Sequence, residues 1–155
     1  MLTEEFAMVT VFDVADYILD KVGQVTSMKL QKLVYYSQAW SLAWDDKPLF
    51  EEDFQAWANG PVCPELFRTH KGIFGLTSGF FSAYAKGTLE DSQIENINIV
   101  LDEYLPLEPH ELSNLTHREL PWINARGNTP PGMPCENVID KEDMRIYYAG
   151  LIPVV

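Results

Sequence analysis

Ser27-Met28-Lys29-Leu30-Gln31-Lys32-Leu33-Val34-Tyr35-Tyr36-Ser37-Gln38-Ala39-Trp40-Ser41-Leu42-Ala43-Trp44-Asp45 is the stretch on which the fold turns. Met28, Leu30, Leu33, Val34, Tyr36, Ser37, Trp40 and Ala43 or Trp44 recur at helical spacing, with Ser27 as the expected N-cap and an end near Asp45. So broad an apolar stripe predicts a helix at the centre of the core rather than on its rim. Lys29 and Lys32 flank Leu30 and Leu33 on this helix. They read either as lysines snorkelling along apolar surface or, with a neighbouring Tyr, as part of a partner-recognition surface.

Other elements assemble around that helix. Thr10 caps a predicted helix from about Val11 to Val22, with Ala15, Ile18, Leu19 and Val22 on one face and Gly23 as its stop. Asp53 to Ala58, with Phe54 and Trp57, reads as a short strand, followed by a turn at Asn59-Gly60-Pro61. Pro64 suits the first position of a helix to about Lys71, since its missing N–H would be unpaired there in any case. Gly72 to Gly87 reads as irregular or at most weakly helical. Asp91 to Leu105 is amphipathic, with Ile94, Ile97, Leu101, Tyr104 and Leu105 expected inward. Short helices follow from Pro109 to Leu115, from Pro121 to Gly127, and from Lys141 to Ala149 behind an Asp140 cap. The tail Leu151 to Val155 is apolar and is expected to dock on the core. The expected fold is mainly α: a compact single-domain bundle of six or seven helices with a small β element near residues 53–58.

Composition narrows the function. At 155 residues, 46% apolar and 22% charged, the protein is ordinary for one globular domain. No run of about 18 apolar residues exists to span a bilayer, and Met1 to Glu5 lacks a signal peptide's basic start. Cys63 and Cys135 form no CxxC pair, so a cytoplasmic protein without a disulfide framework is expected. Eleven Lys and Arg against 23 Asp and Glu leave a net charge of −12, the wrong sign for gripping a phosphate backbone. Glu90 to Glu111 holds seven acids and no Lys or Arg, and Asp45 to Asp53 holds five acids against Lys47. Such faces aid solubility or steer a basic partner inward.

Motifs for catalysis are wanting. His70, His110, His117 and the two cysteines show no metal-ligand spacing, and no GxSxG, P-loop or GxGxxG segment occurs. No catalytic residue, metal or cofactor is therefore assigned. Thr116-His117-Arg118-Glu119 matches a capping box, but a helix begun there would meet Pro121 in its second turn. A tight bend over Thr116 to Leu120, pinned by those polar side chains and followed by an inward Trp122, is the expectation.

Met28 to Gln38 resembles the KLQKLLYYAQ helix of the SocA-like antitoxin family, the Panacea domain, also described as phage-associated GepA proteins. Pro48-Leu49-Phe50, Phe54 to Val62 and Pro64-Glu65-Leu66 are similar to its PLF, EAW, GPV and PEL segments. Leu112 to Arg126 resembles its LS-LTH-E-PW-AR block, and Ile139 to Met144 with Tyr147 its closing helix. The blocks keep their order from about Asp13 to Tyr148. Phe67 stands where a Tyr is usual, Cys63 replaces an aliphatic residue, and Gly72 to Gly87 matches poorly.

The resemblance implies a non-enzymatic antitoxin of bacteria or their prophages that neutralises a cognate protein toxin by direct binding. Some members carry an added DNA-binding domain, for which this sequence has no room; no direct nucleic-acid or membrane contact is expected, and a homodimer is left open. The recognition surface is placed around Lys32, Tyr36, Trp57, Asn59, Gly60, Pro61, His117 and Arg126, as motif residues without an evident core role. Four Trp and seven Tyr suit an interface of standard size, about 1,600 Å², though they also fill cores. The alternative is a proteolytic adaptor or a phage-associated regulatory module without an adjacent toxin.

Overall fold

The computed structural model describes residues 8–152, which form seven helices and two small antiparallel sheets. In sequence order these are α1 (Val11–Val22), β1 (Gln24–Thr26), α2 (Ser27–Asp45), β2 (Gln55–Trp57), β3 (Gly60–Val62), α3 (Pro64–His70), β4 (Gly75–Thr77), α4 (Asp91–Tyr104), α5 (Pro109–His117), α6 (Leu120–Arg126) and α7 (Lys141–Ala149). The mainly helical expectation stands, with seven helices.

Helix α2 is the axis. Every residue from Leu30 to Ala39 is buried, because α1, α4, α5, α7 and β3 all pack around it. Its N-cap is Thr26, not Ser27: the Thr26 hydroxyl accepts from the Lys29 amide at 3.1 Å, and Ser27 is already helical. Asp46 closes the helix in the left-handed region at φ 58°.

A helix buried all round must satisfy its own polar side chains inside the protein. Gln38 does so with loop backbone: its Nε2 donates to Phe50 O at 2.8 Å and its Oε1 accepts from the Leu49 amide at 2.7 Å. Gln31 accepts from the Cys63 amide at 2.9 Å, and Ser37 donates to Leu33 O at 2.9 Å within the helix. Lys29 reaches across to α4 and donates to Leu105 O at 2.6 Å, a free carbonyl near that helix's end.

The β element is a hairpin, with Gln55 opposite Val62 and Trp57 opposite Gly60. It is braced from outside by the segment before α7, where Ala56 donates to Asn137 O and Ile139 to Phe54 O. Residues 72–87 depart from expectation, since β4 lies within them and pairs antiparallel with β1 through Val25 and Leu76. Three residues beside several glycines are too short for periodicity to announce a strand, and the partner is distant in sequence. Phe81 then anchors the following turns in the core against Phe12.

Two smaller expectations are also corrected. On α4 the buried face is Ile97, Val100, Leu101 and Tyr104, with Ile94 and Leu105 only half-buried. Of the apolar tail, Leu151 and Ile152 are 49% and 40% exposed rather than docked, and residues 153–155 lie outside the described residues.

The Gln38 bonds yield a measurable consequence. Gln38→Leu keeps the volume but strands one buried amide and one buried carbonyl, so chemical denaturation should register a loss of about 2–4 kcal/mol.

Candidate functional site

The residues expected to form an open recognition surface divide into two sets. Lys32, Tyr36, Gly60, Pro61 and Arg126 are buried, so the expectation that they lack a core role is corrected. Trp57 and His117 are half-buried and Asn59 is exposed. The buried set is a scaffold, and its geometry explains why these residue types stand where they do.

Lys32 is 1% exposed and does not snorkel to water. Its side chain runs from α2 beneath the hairpin, and its Nζ donates to Pro61 O at 3.2 Å. This passage requires Gly60: a Cβ there would lie 2.6 Å from Lys32 Cε and 2.9 Å from Thr116 Oγ1, and Gly60 holds φ at +118°. No carboxylate pairs with Lys32 among the described residues. Burial alone pushes its pKa down to about 7. His70 and His117 are likewise lowered by burial first and by the nearby Lys32 in addition.

Arg126 braces the other end of the hairpin. Its guanidinium donates to Ala56 O at 2.8 Å, Pro130 O at 2.9 Å and Met133 O at 2.7 Å, so one planar fork ties hairpin, α6 and the following loop together. It also lies 4.8 Å from the Trp122 ring, while His117 stacks on the same indole at 4.2 Å. Trp122 packs inward as expected and donates its indole N–H to Trp57 O at 2.9 Å. His117 Nε2 is buried without a hydrogen-bond partner.

Tyr36 belongs to a separate network. Its hydroxyl donates to Glu119 Oε1 at 2.7 Å, and the Tyr148 hydroxyl donates to the same oxygen at 2.8 Å. Burial raises the Glu119 pKa, against the lowering pull of the two hydroxyls, and raises the tyrosines strongly. Glu119 therefore does not close a capping box, and the Thr116 hydroxyl instead donates to Ser113 O at 2.8 Å. The bend falls at Arg118 and Glu119, between α5 and α6. The motif spacing placed Glu119 near Thr116 but carried no sign that Tyr148, 29 residues later, would meet it.

What remains for the surface is the hairpin turn and a cleft on each side of it. One cleft of about 360 Å³ is lined mainly by apolar atoms of Met28, Trp57, Ala58, Val62, Pro134 and Cys135, with Asn59 and Glu136 at its edge. The other, about 280 Å³, is bounded by Lys32, Asn59, Pro109, His110, Ser113 and Asn114. Met28 and Asn59 line both, so the clefts adjoin along one ridge. Ser113 donates to Asn59 O at 2.6 Å and fixes the turn against α5. Of the residues expected from sequence, Trp57, Asn59 and Lys32 line these clefts. Met28, His110, Ser113, Pro134 and Cys135 join them without any sequence signal that marks them for a surface role. Among the described residues no three His, Cys, Asp or Glu side chains converge as a metal would require.

Two substitutions test this scaffold. Lys32 carries its proton below pH 7 in the folded state and below about 10.5 when unfolded. The cost of burying the charge is thus complete below pH 7, where both states are protonated, and the proton must be given up on folding between pH 7 and 10.5, where that cost fades. Lys32→Met should be more stable than the wild type by on the order of 4 kcal/mol at pH 7 or below, and the difference should shrink toward pH 10.5 in melting curves taken across that range. Gly60→Ala should cost about 2–4 kcal/mol, from the left-handed φ and the collision with Lys32, measured by denaturant titration.

Comparison with known proteins bears on the same segments. Residues 30–123 match the family described as Antitoxin SocA-like, Panacea domain. Antitoxin SocA of Caulobacter vibrioides (strain NA1000 / CB15N) is 34% identical over 71 residues, covering 43% of this protein and 38% of that relative. No solved structure matches it. With more than half of its length matched, and with most of α2, the hairpin and α5 inside the match, the protein belongs to the SocA-like antitoxin family, the Panacea domain.

Proposed function

We propose that this protein neutralises a separately encoded protein toxin by binding it directly, through the hairpin turn and its two flanking clefts. The observation that carries this reading is the division of labour within the family motif. Lys32, Gln31 and Arg126 are committed to backbone atoms that brace the hairpin, and the turn at Asn59 with its clefts is what the motif presents outward. A surface held this rigidly loses little conformational freedom on binding, which favours a tight complex.

Charge supports the kind of partner. Glu90, Asp91, Glu95, Asp102, Glu103, Glu108 and Glu111 are all exposed, so α4 and the start of α5 present a mainly acidic face. A basic toxin would be drawn toward that face, and its association would slow as salt rises. The role is one of occupation, with no bond made or broken, in the cytoplasm.

Expression of the adjacent reading frame alone should arrest growth, and co-expression with this protein should restore it and yield a complex on purification. Asn59→Arg, at an exposed turn, should leave the melting temperature within a few degrees while lowering recovery of the complex at least tenfold. A neighbouring product that is harmless alone, or undiminished recovery with Asn59→Arg, would contradict the reading.

A further inference from the structure

The Lys32 amine braces the hairpin through one hydrogen bond, at the cost of burying a charge without an opposite one among the described residues. Among the described residues, one of its three N–H groups has an acceptor, the Pro61 carbonyl. A neutral side chain of similar length would fill the same channel beneath Gly60 without a buried charge. Lys32 is nonetheless one of the residues lining the cleft formed with Asn59, Pro109, His110, Ser113 and Asn114. Basic groups stand near it: Lys32 lowers the pKa of His70 on α3 and of His117 on α5, and His110 on α5 lines the same cleft. No carboxylate within ion-pair distance faces Lys32 among the described residues, and Glu136 lines the neighbouring cleft.

We infer that this cleft is a binding site for a peptide carboxylate, received by the Lys32 ammonium, with an apolar side chain next to that carboxylate seated in the adjoining Met28–Trp57–Pro134 cleft. The two cavities supply the two halves of such a ligand. The smaller one, about 280 Å³, is lined by apolar atoms together with Lys32 and the side-chain donors of Asn59, His110 and Asn114. The larger, mainly apolar one, about 360 Å³, adjoins it across Met28 and Asn59. A carboxylate entering the first would supply the charge partner that Lys32 lacks, in surroundings where a charge-assisted hydrogen bond is strong. The net charge of −12 disfavours an extended polyanion. The ligand class is therefore the free carboxyl terminus of a peptide with an apolar last residue, or an Asp or Glu carboxylate beside an apolar residue.

Binding of such a group takes up a proton wherever Lys32 is neutral in the free protein. Since its pKa is held near 7, affinity should weaken about tenfold per pH unit above pH 8. Extended to toxin binding, the inference rests on the function proposed above. As a property of this protein alone, it needs no toxin to be tested.

The test uses the full-length, isotopically labelled protein and three small probes followed by amide NMR: N-acetylleucine, N-acetylleucinamide, and N-acetylglutamate α-amide. N-acetylleucine should shift the amides of Asn59, His110 and Ser113 saturably, with the stated pH dependence, and the leucinamide should not. If the glutamate α-amide binds instead, the site stands and its ligand is an acidic residue's carboxylate. Lys32→Met, which replaces the amine by an apolar group and should fold, must abolish the shifts. Asn114→Trp, which bulks the exposed rim without touching Lys32, must weaken them at least tenfold. Equal binding of the leucinamide, shifts that persist in Lys32→Met, or no shift with either carboxylate at about 20 mM probe would overturn the inference. Should the probes bind while the adjacent product proves harmless, the site survives and the antitoxin reading falls; toxin rescue without probe binding gives the reverse.

Discussion

Burial of α2 on every side sets the requirement from which the rest of this structure follows. From Leu30 to Ala39 no position of the helix faces water, yet Gln31, Lys32, Ser37 and Gln38 all lie in that span. A polar side chain in that setting must find a partner inside or destabilise the fold by roughly 1–3 kcal/mol. The partners are mostly backbone groups of irregular segments and the hairpin: Leu49 and Phe50 for Gln38, Cys63 for Gln31, Pro61 for Lys32. Loops that would otherwise have few constraints are thereby tied to the most deeply buried element of the molecule. The hairpin is the main beneficiary, since Arg126 and Trp122 fix its first strand in the same way.

A second layer of the same logic joins distant parts of the sequence. Glu119 accepts from Tyr36 on α2 and Tyr148 on α7, and Tyr35 and Tyr148 pack edge to face around them. Tyr36 also stacks on Tyr104 of α4 with ring centroids 4.0 Å apart. Three helices and the start of α6 thus meet at one cluster of aromatic rings and a single carboxylate. The abundance of Tyr, which in the sequence pointed equally to an interface and to a core, is explained here by the core. Of the residues the sequence placed at a surface, Trp57 and Asn59 stay accessible beside the hairpin turn, where the two clefts adjoin.

Lys32, Tyr36, Gly60, Pro61 and Arg126 of the motif are accordingly interior in this protein. Gly60 is needed because a lysine passes beneath it, and Lys32 sits where neither solvent nor a carboxylate compensates it within the described residues. Tolerating a buried, uncompensated lysine in the lining of a cleft is a sacrifice of stability of the kind that accompanies binding sites.

Helix positions, the centrality of α2, the strand near Phe54 to Trp57 and the helix start at Pro64 were legible in the sequence, because each depends on local periodicity or on backbone chemistry of neighbouring residues. The order of the motif blocks identified the family for the same reason. The turn expected at Asn59-Gly60-Pro61 falls instead at Ala58-Asn59, because Gly60 and Pro61 already pair as β3. The β1–β4 pairing, the choice of Glu119 as an acceptor for two tyrosines, and the descent of Lys32 beneath Gly60 were not legible. Each depends on which distant segments meet: Val25 with Leu76, Tyr36 with Tyr148, and α2 with β3. Polarity in a sequence reports what a side chain needs, and only the packed fold decides whether water or a backbone group provides it. Lys32, Tyr36 and Arg126 therefore carried the outline of a surface in the sequence and proved to be interior.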